Sequence, residues 1–174
     1  MCGLAALVAA GPGQAVSRPS VSEDVISLTY GFYCDPGSHL EREAPGTITG
    51  TISVPDIIPQ FSAPGQTGPA TLGIGFGVKA EITARLEGTV TILVEHPPHG
   101  ADGVTVESWQ STFSADGTNF AGFSFDEPYE MTPGLWRFSA TRDGRLIYEV
   151  EFEILPEALN PLPSLPCPGP VPIS

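Results

Sequence analysis

The sequence predicts an all-β domain, and three observations carry that reading. Apolar and polar residues alternate in runs about one strand long, turn residues separate the runs at hairpin spacing, and residues 16–174 show no helical period. About eight such runs make a two-sheet, immunoglobulin-like β-sandwich. A small β-barrel is the alternative that a strand count leaves open.

The clearest run covers residues 145–154, where Leu146, Tyr148, Val150, Phe152 and Ile154 alternate with Arg145, Ile147, Glu149, Glu151 and Glu153. Before it, Trp136, Phe138 and Ala140 share one face and Arg137, Ser139 and Thr141 the other. A two-residue loop at Asp143-Gly144 would set Trp136 beside Glu151, a poor register for a core. A three-residue loop, Arg142-Asp143-Gly144, pairs Trp136 with Val150, Phe138 with Tyr148 and Ala140 with Leu146. The expectation is therefore a type I turn with Gly144 left-handed in a G1 bulge.

Taken in order, residues 24–34 form a strand with Ile26, Leu28, Tyr30, Phe32 and Cys34 on one face. Residues 35–46 read as a loop, and 47–54 as a strand with Ile48, Ile52 and Val54 inward. Residues 55–69, rich in Pro and Gly, are long for a connection within a compact domain. At 73–83, Ile74, Phe76, Val78, Ala80 and Ile82 face inward, and Gly73, Gly75 and Gly77 on the other face leave a groove or a close approach. Val90, Ile92 and Val94 point inward in 89–95, and the His96-Pro97-Pro98-His99 corner stops that strand. Residues 105–113, with Trp109, and 120–125 complete the set. Trp136, Phe138, Tyr148, Phe152, Phe76, Ile92 and Phe32 are the expected core, each contributing roughly 1.5–3 kcal/mol on burial.

Residues 1–15 read as a secretory signal cut after Ala15, with an apolar run, a Gly-Pro-Gly breaker and a small-residue site, although no Lys or Arg precedes the run. Residues 16–23 are a polar lead-in, 24–155 the sandwich, and 156–174 a Pro-rich tail that favours extended conformation. Lys+Arg 7 against Asp+Glu 20 gives a formal charge of −13, which repels nucleic acid and anionic lipid surfaces. No stretch after the leader approaches the ~20 apolar residues of a membrane span. The expected location is periplasmic or secreted. Once the leader is removed, Cys34 and Cys167 are the remaining cysteines, an even pair in an oxidising compartment, and are expected to form a disulfide.

The segments ESWQST (107–112), GFSFDEPYEM (122–131) and PGLWRF (133–138) resemble a bacterial family known only as domain of unknown function 3859. The YGFY segment, FGVKAE (76–81) and the HPP corner (96–98) extend the resemblance over about residues 28–155. It implies a bacterial origin and a β-sandwich, and brings no activity or catalytic residues with it.

Candidate chemistry is sparse. His96 and His99 flank two prolines on a stiff corner where both could meet one Zn²⁺ or Cu²⁺, with His39 or Glu95 as a third ligand. Asp126 and Glu130, in a run of three carboxylates, are candidate oxygen ligands for Ca²⁺, though the run lacks EF-hand spacing and reads first as a polar crossover with Tyr129 packed as a corner residue. No nucleophile stands beside a base, no G-x-S-x-G elbow is present, and no cofactor fingerprint is found. The function read from this is a non-catalytic exported module that binds a protein or other envelope partner, with Ile57, Ile58 and Phe61 of the long loop as the contact residues. A periplasmic metal-binding or hydrolytic protein is the alternative. The positions of His96, His99, Glu107, Asp126 and Glu130 in space discriminate the two.

Overall fold

Two sheets face each other across an apolar interior in the computed structural model, which describes residues 16–37, 39–160, 162, 165 and 167. The expected leader, residues 1–15, lies outside these, as do most residues of the tail beyond Asn160. The first sheet runs in the order β1 (Ser20–Val21), β12 (Arg145–Pro156), β11 (Gly134–Arg142), β8 (Gly88–His99), β9 (Val104–Phe113). A short strand β6 (Thr67–Ala70) pairs in parallel with the end of β12, beyond β1. The second sheet runs β10 (Asn119–Ser124), β7 (Ile74–Ile82), β2 (Val25–Cys34), β5 (Ala63–Pro64). The sheets stay separate, so the fold is a sandwich and not a barrel. A two-stranded ribbon, β3 (His39–Glu43) and β4 (Thr51–Pro55), belongs to neither sheet.

Strand β7 explains the core from its own sequence. Ile74, Phe76, Val78, Ala80 and Ile82 are all buried. The Phe76 ring lies between 5.2 and 6.2 Å from those of Phe32, Phe123, Phe125, Trp136, Phe138 and Phe152, edge to face with the last three and tilted against the first three. All seven expected core residues are fully buried. On the opposite face the Tyr33 ring lies where a Cβ on Gly75 would come within 2.3 Å of it, so that groove is filled by a close approach rather than left open.

Four expectations are corrected. The β11–β12 turn is a two-residue loop with both Asp143 (φ 49°) and Gly144 (φ 73°) left-handed, as a type I′ turn requires. A register shift just beyond it, where Ala140 pairs with Tyr148 and Thr141 with Leu146, leaves Ile147 unpaired and buried and Leu146 exposed. Trp136 consequently faces Phe152, and Phe138 faces Val150. The apolar pattern demanded apolar partners for Trp136 and Phe138, and a bulge in β12 met that demand instead of a longer loop. Second, β8 does not stop at Glu95 but continues through both prolines to His99. Third, the expected 35–46 loop contains β3, and Ile48 lies in the ribbon's turn rather than in a strand. Fourth, the 55–69 segment is a crossover whose β5 joins the second sheet and whose β6 joins the first.

Cys34, at the end of β2, is bonded to Cys167, with Cα atoms 5.2 Å apart across 133 residues of sequence. Leu162, Leu165 and Cys167 pack against the core, so the described part of the tail lies on the sandwich. Among the described residues no helix is long and apolar enough to cross a membrane.

Candidate functional site

Along β8 the even residues Val90, Ile92 and Val94 point into the core, and His96 continues their row. The ladder to β9 then slips: Glu95 pairs with Val106 and His99 with Val104, so residues 96–98 face residue 105 alone. Pro97 and Pro98 suit such a bulge because they have no N–H to give to a ladder. The extra residues turn His99 inward as well. The two imidazoles stack with centroids 4.0 Å apart and planes 8° apart. Trp136 of β11 lies against His96 at 4.8 Å, its indole N–H donating to the Thr132 carbonyl.

Glu107 of β9 completes the group. It shares its strand face with Trp109 and Phe113, with Glu107 and Phe113 buried and Trp109 half-buried between them. Its Oε1 lies 3.5 Å from His96 Nε2 and 3.6 Å from His99 Nε2, and its Oε2 accepts the Ile48 N–H at 2.8 Å. Burial alone would raise this carboxyl, but the two imidazoles and the Ile48 N–H hold it down at about 2. It is therefore ionised at neutral pH. His96 Nδ1 lies 2.9 Å from the Pro97 carbonyl, which can only accept, so this nitrogen carries a hydrogen and Nε2 is the nitrogen left facing Glu107. Nε2 of His96 and Nδ1 of His99 are buried without a hydrogen-bond partner.

Glu107 also lines a cleft of about 820 Å³ bounded by the edge strands β9 and β10 and roofed by the β3–β4 ribbon. The ribbon is hooked onto β9 by Ser108 N–H to the Gly46 carbonyl at 2.9 Å and by the Arg42 guanidinium to the Gln110 carbonyl at 3.0 Å. Only a glycine fits at 46, since a Cβ there would lie 2.4 Å from the Ser108 oxygen. Trp109, Phe120, Phe123 and Tyr129 supply aromatic wall, and Asp35, Asp126 and Glu130 an acidic rim. Partial burial, then the charges of Asp35 and Glu130, push the Asp126 carboxyl up to about 6. Burial also raises Glu130, although its Oε2 accepts the N–H groups of Asp126 and Glu127.

The structure thus brings His96 and His99 together, with Glu107 as their third partner rather than His39 or Glu95. Glu95 is on the outer face, paired with Arg137 at 3.0 Å, and His39 begins the ribbon. Asp126 and Glu130 share the cleft with Glu107, but the described metal-capable group is His96, His99 and Glu107 alone. Ile57, Ile58 and Phe61 do not form one patch: Ile57 is 79% exposed, Ile58 lines the cleft, and Phe61 packs 6.4 Å from the Tyr33 ring beneath the Lys79 ammonium. The signal for Glu107 was its parity, a carboxylate in the same alternating row as Trp109 and Phe113.

No curated protein matches the sequence. A crystal structure of an immunoglobulin-like protein from Pseudomonas aeruginosa is similar, with 18% identity, a TM-score of 0.52, and coverage of 82% of this chain and 100% of that one. At that identity the likeness shows the fold alone. Residues 21–154 match the family described as Domain of unknown function (DUF3859), and the chain belongs to that family.

Proposed function

We propose that this chain is an exported, non-catalytic immunoglobulin-like module of the bacterial envelope that binds a protein partner in the cleft between β9, β10 and the ribbon. The observation that carries the reading is the cleft itself, about 820 Å³ of aromatic wall under a carboxylate rim. Such a surface suits a segment that presents a Lys or Arg beside an aliphatic or aromatic side chain. A cation at the rim relieves the repulsion that holds the Asp126 proton in place. Ile58 lines the same cleft, and Ile57 beside it in sequence is exposed, so both fall within a partner's reach. The disulfide and the signal-like residues 1–15 support export to the periplasm or beyond.

The test is site-specific crosslinking from a photoreactive residue at position 58 in envelope extracts, repeated with Asp126→Lys and Glu130→Lys. One crosslinked partner, lost in both charge variants while their melting curves stay cooperative, is the expected result. An unchanged crosslink in the charge variants would sink the cleft as the docking site.

A further inference from the structure

We infer that His96, His99 and Glu107 form a binding site for one Zn²⁺ ion at the inner end of the cleft. The donor set is two imidazole nitrogens and one carboxylate oxygen, a combination that suits zinc and leaves its fourth position open. The spacing points the same way. At 3.5 and 3.6 Å the Glu107 oxygen is too far from either Nε2 for a good hydrogen bond. Those separations instead approach the edge of a coordination tetrahedron, about 3.3 Å for bonds near 2.0 Å. All three ligand atoms lie within 4.8 Å of one another, so closing the set onto an ion asks for side-chain movements on the order of 1 Å.

The tautomer is already set for the ion. The Pro97 carbonyl takes the His96 Nδ1 hydrogen, the outer contact that metal-bound histidines usually make, and leaves Nε2 facing Glu107, buried and without a hydrogen-bond partner. A purely structural reading, in which the imidazoles are charged partners of Glu107, fits less well. A direct pairing would bring the Glu107 oxygen within hydrogen-bond range of one ring, whereas it lies 3.5 and 3.6 Å from the two stacked rings, nearly equidistant as ligands of one ion would be. Both histidine side chains are 0–1% exposed, and Glu107 alone of the three lines the cleft. Water, or a donor atom from whatever occupies the cleft, would complete the fourth position. The site does not depend on partner binding, and the two are tested apart.

The experiment uses the full chain with its disulfide intact, stripped with chelator and titrated with Zn²⁺ against a chromophoric competitor, and separately with Co²⁺. One equivalent of Zn²⁺, a raised melting temperature, and the visible absorption of tetrahedral Co²⁺ are expected. Glu107→Gln preserves shape, and His99→Phe keeps a ring on the stack. Each should weaken Zn²⁺ at least about 10-fold, while His39→Ala leaves affinity unchanged. The inference is overturned by a folded wild type that takes up no Zn²⁺, by a Co²⁺ spectrum of octahedral type, or by affinity that survives Glu107→Gln and falls with His39→Ala. Should His99→Phe fail to fold, the wild-type Co²⁺ spectrum and Glu107→Gln still decide.

Discussion

The β8–β11 wall of the sandwich ends in two different kinds of interior. Against its centre Phe76, from β7 of the facing sheet, sits among six aromatic rings with no polar atom to satisfy, and at its end His96 and His99 are equally buried with nitrogens left unpartnered. Trp136 touches both, lying 5.3 Å from Phe76 and 4.8 Å from His96. The first region is explained by its own burial. The second is not, because an unpaired buried nitrogen costs about 1–3 kcal/mol that apolar side chains of like size would not. A fold retains such a feature where something other than packing uses it.

Four measurements break or sharpen that contrast. The largest effect belongs to the apolar centre: Phe76→Ala removes the ring every neighbour packs on and should cost about 3–5 kcal/mol in urea unfolding. A loss under about 1 kcal/mol would show that Phe76 is not the centre of the core. Next, Cys34→Ser opens the long cross-link and should cost about 2–5 kcal/mol, read as a fall in melting temperature that reductant reproduces in the wild type. If reductant leaves the wild-type melting temperature where it was, the apolar side owes its stability to packing without the cross-link.

At the polar end the sign should differ. In chelator-treated protein, the double variant His96→Leu with Glu107→Met, which removes the unpaired nitrogen together with the buried carboxylate beside it, is expected to lie within about 1 kcal/mol of wild type, or to stabilise it. A cost like that of Phe76→Ala would mean the stacked imidazole is simply core. The smallest effect lies at the cleft rim. The Asp126 carboxyl is raised from 3.8 to about 6, so the folded state holds its proton more tightly than the unfolded chain. The stability this proton lends is complete below about pH 4 and lost as pH rises through about 6. Asp126 is solvent-exposed by area, so screening reduces the effect. Asp126→Asn should match wild type near pH 4 and exceed it at pH 8, by about 1 kcal/mol or less. Equal differences at both pH values would remove Asp126 as the titrating group.

Much of the centre was legible in the sequence and little of the end was. The odd or even row of each strand named Phe32, Phe76, Ile92, Trp136, Phe138, Tyr148 and Phe152 without reference to any partner strand, since side chains alternate whatever lies alongside. Two-proline corners usually end a strand, and that rule stopped β8 at Glu95 when the strand ran on to His99. Whether Pro97 and Pro98 end a strand or sit in a bulge depends on what β9 offers opposite them, which neither proline reports.

By itself the sequence determined the all-β class, the inward aromatic and aliphatic residues at the centre of each main strand, and that the β11–β12 hairpin sets apolar residues against Trp136 and Phe138, while Leu146 and Ile26, in the same rows, are exposed. Only the tertiary structure decided the register that does so, with Ile147 bulged beyond a two-residue turn, and only it brought Glu107 beneath His96 and His99. The physical reason is the same in both places. A period of two fixes the face of a side chain within its strand, whereas a bulge moves that face relative to the neighbouring strand. Bulge position is set by cross-strand pairing worth only about 0.2–1 kcal/mol per pair, a sum over partners that no single segment contains.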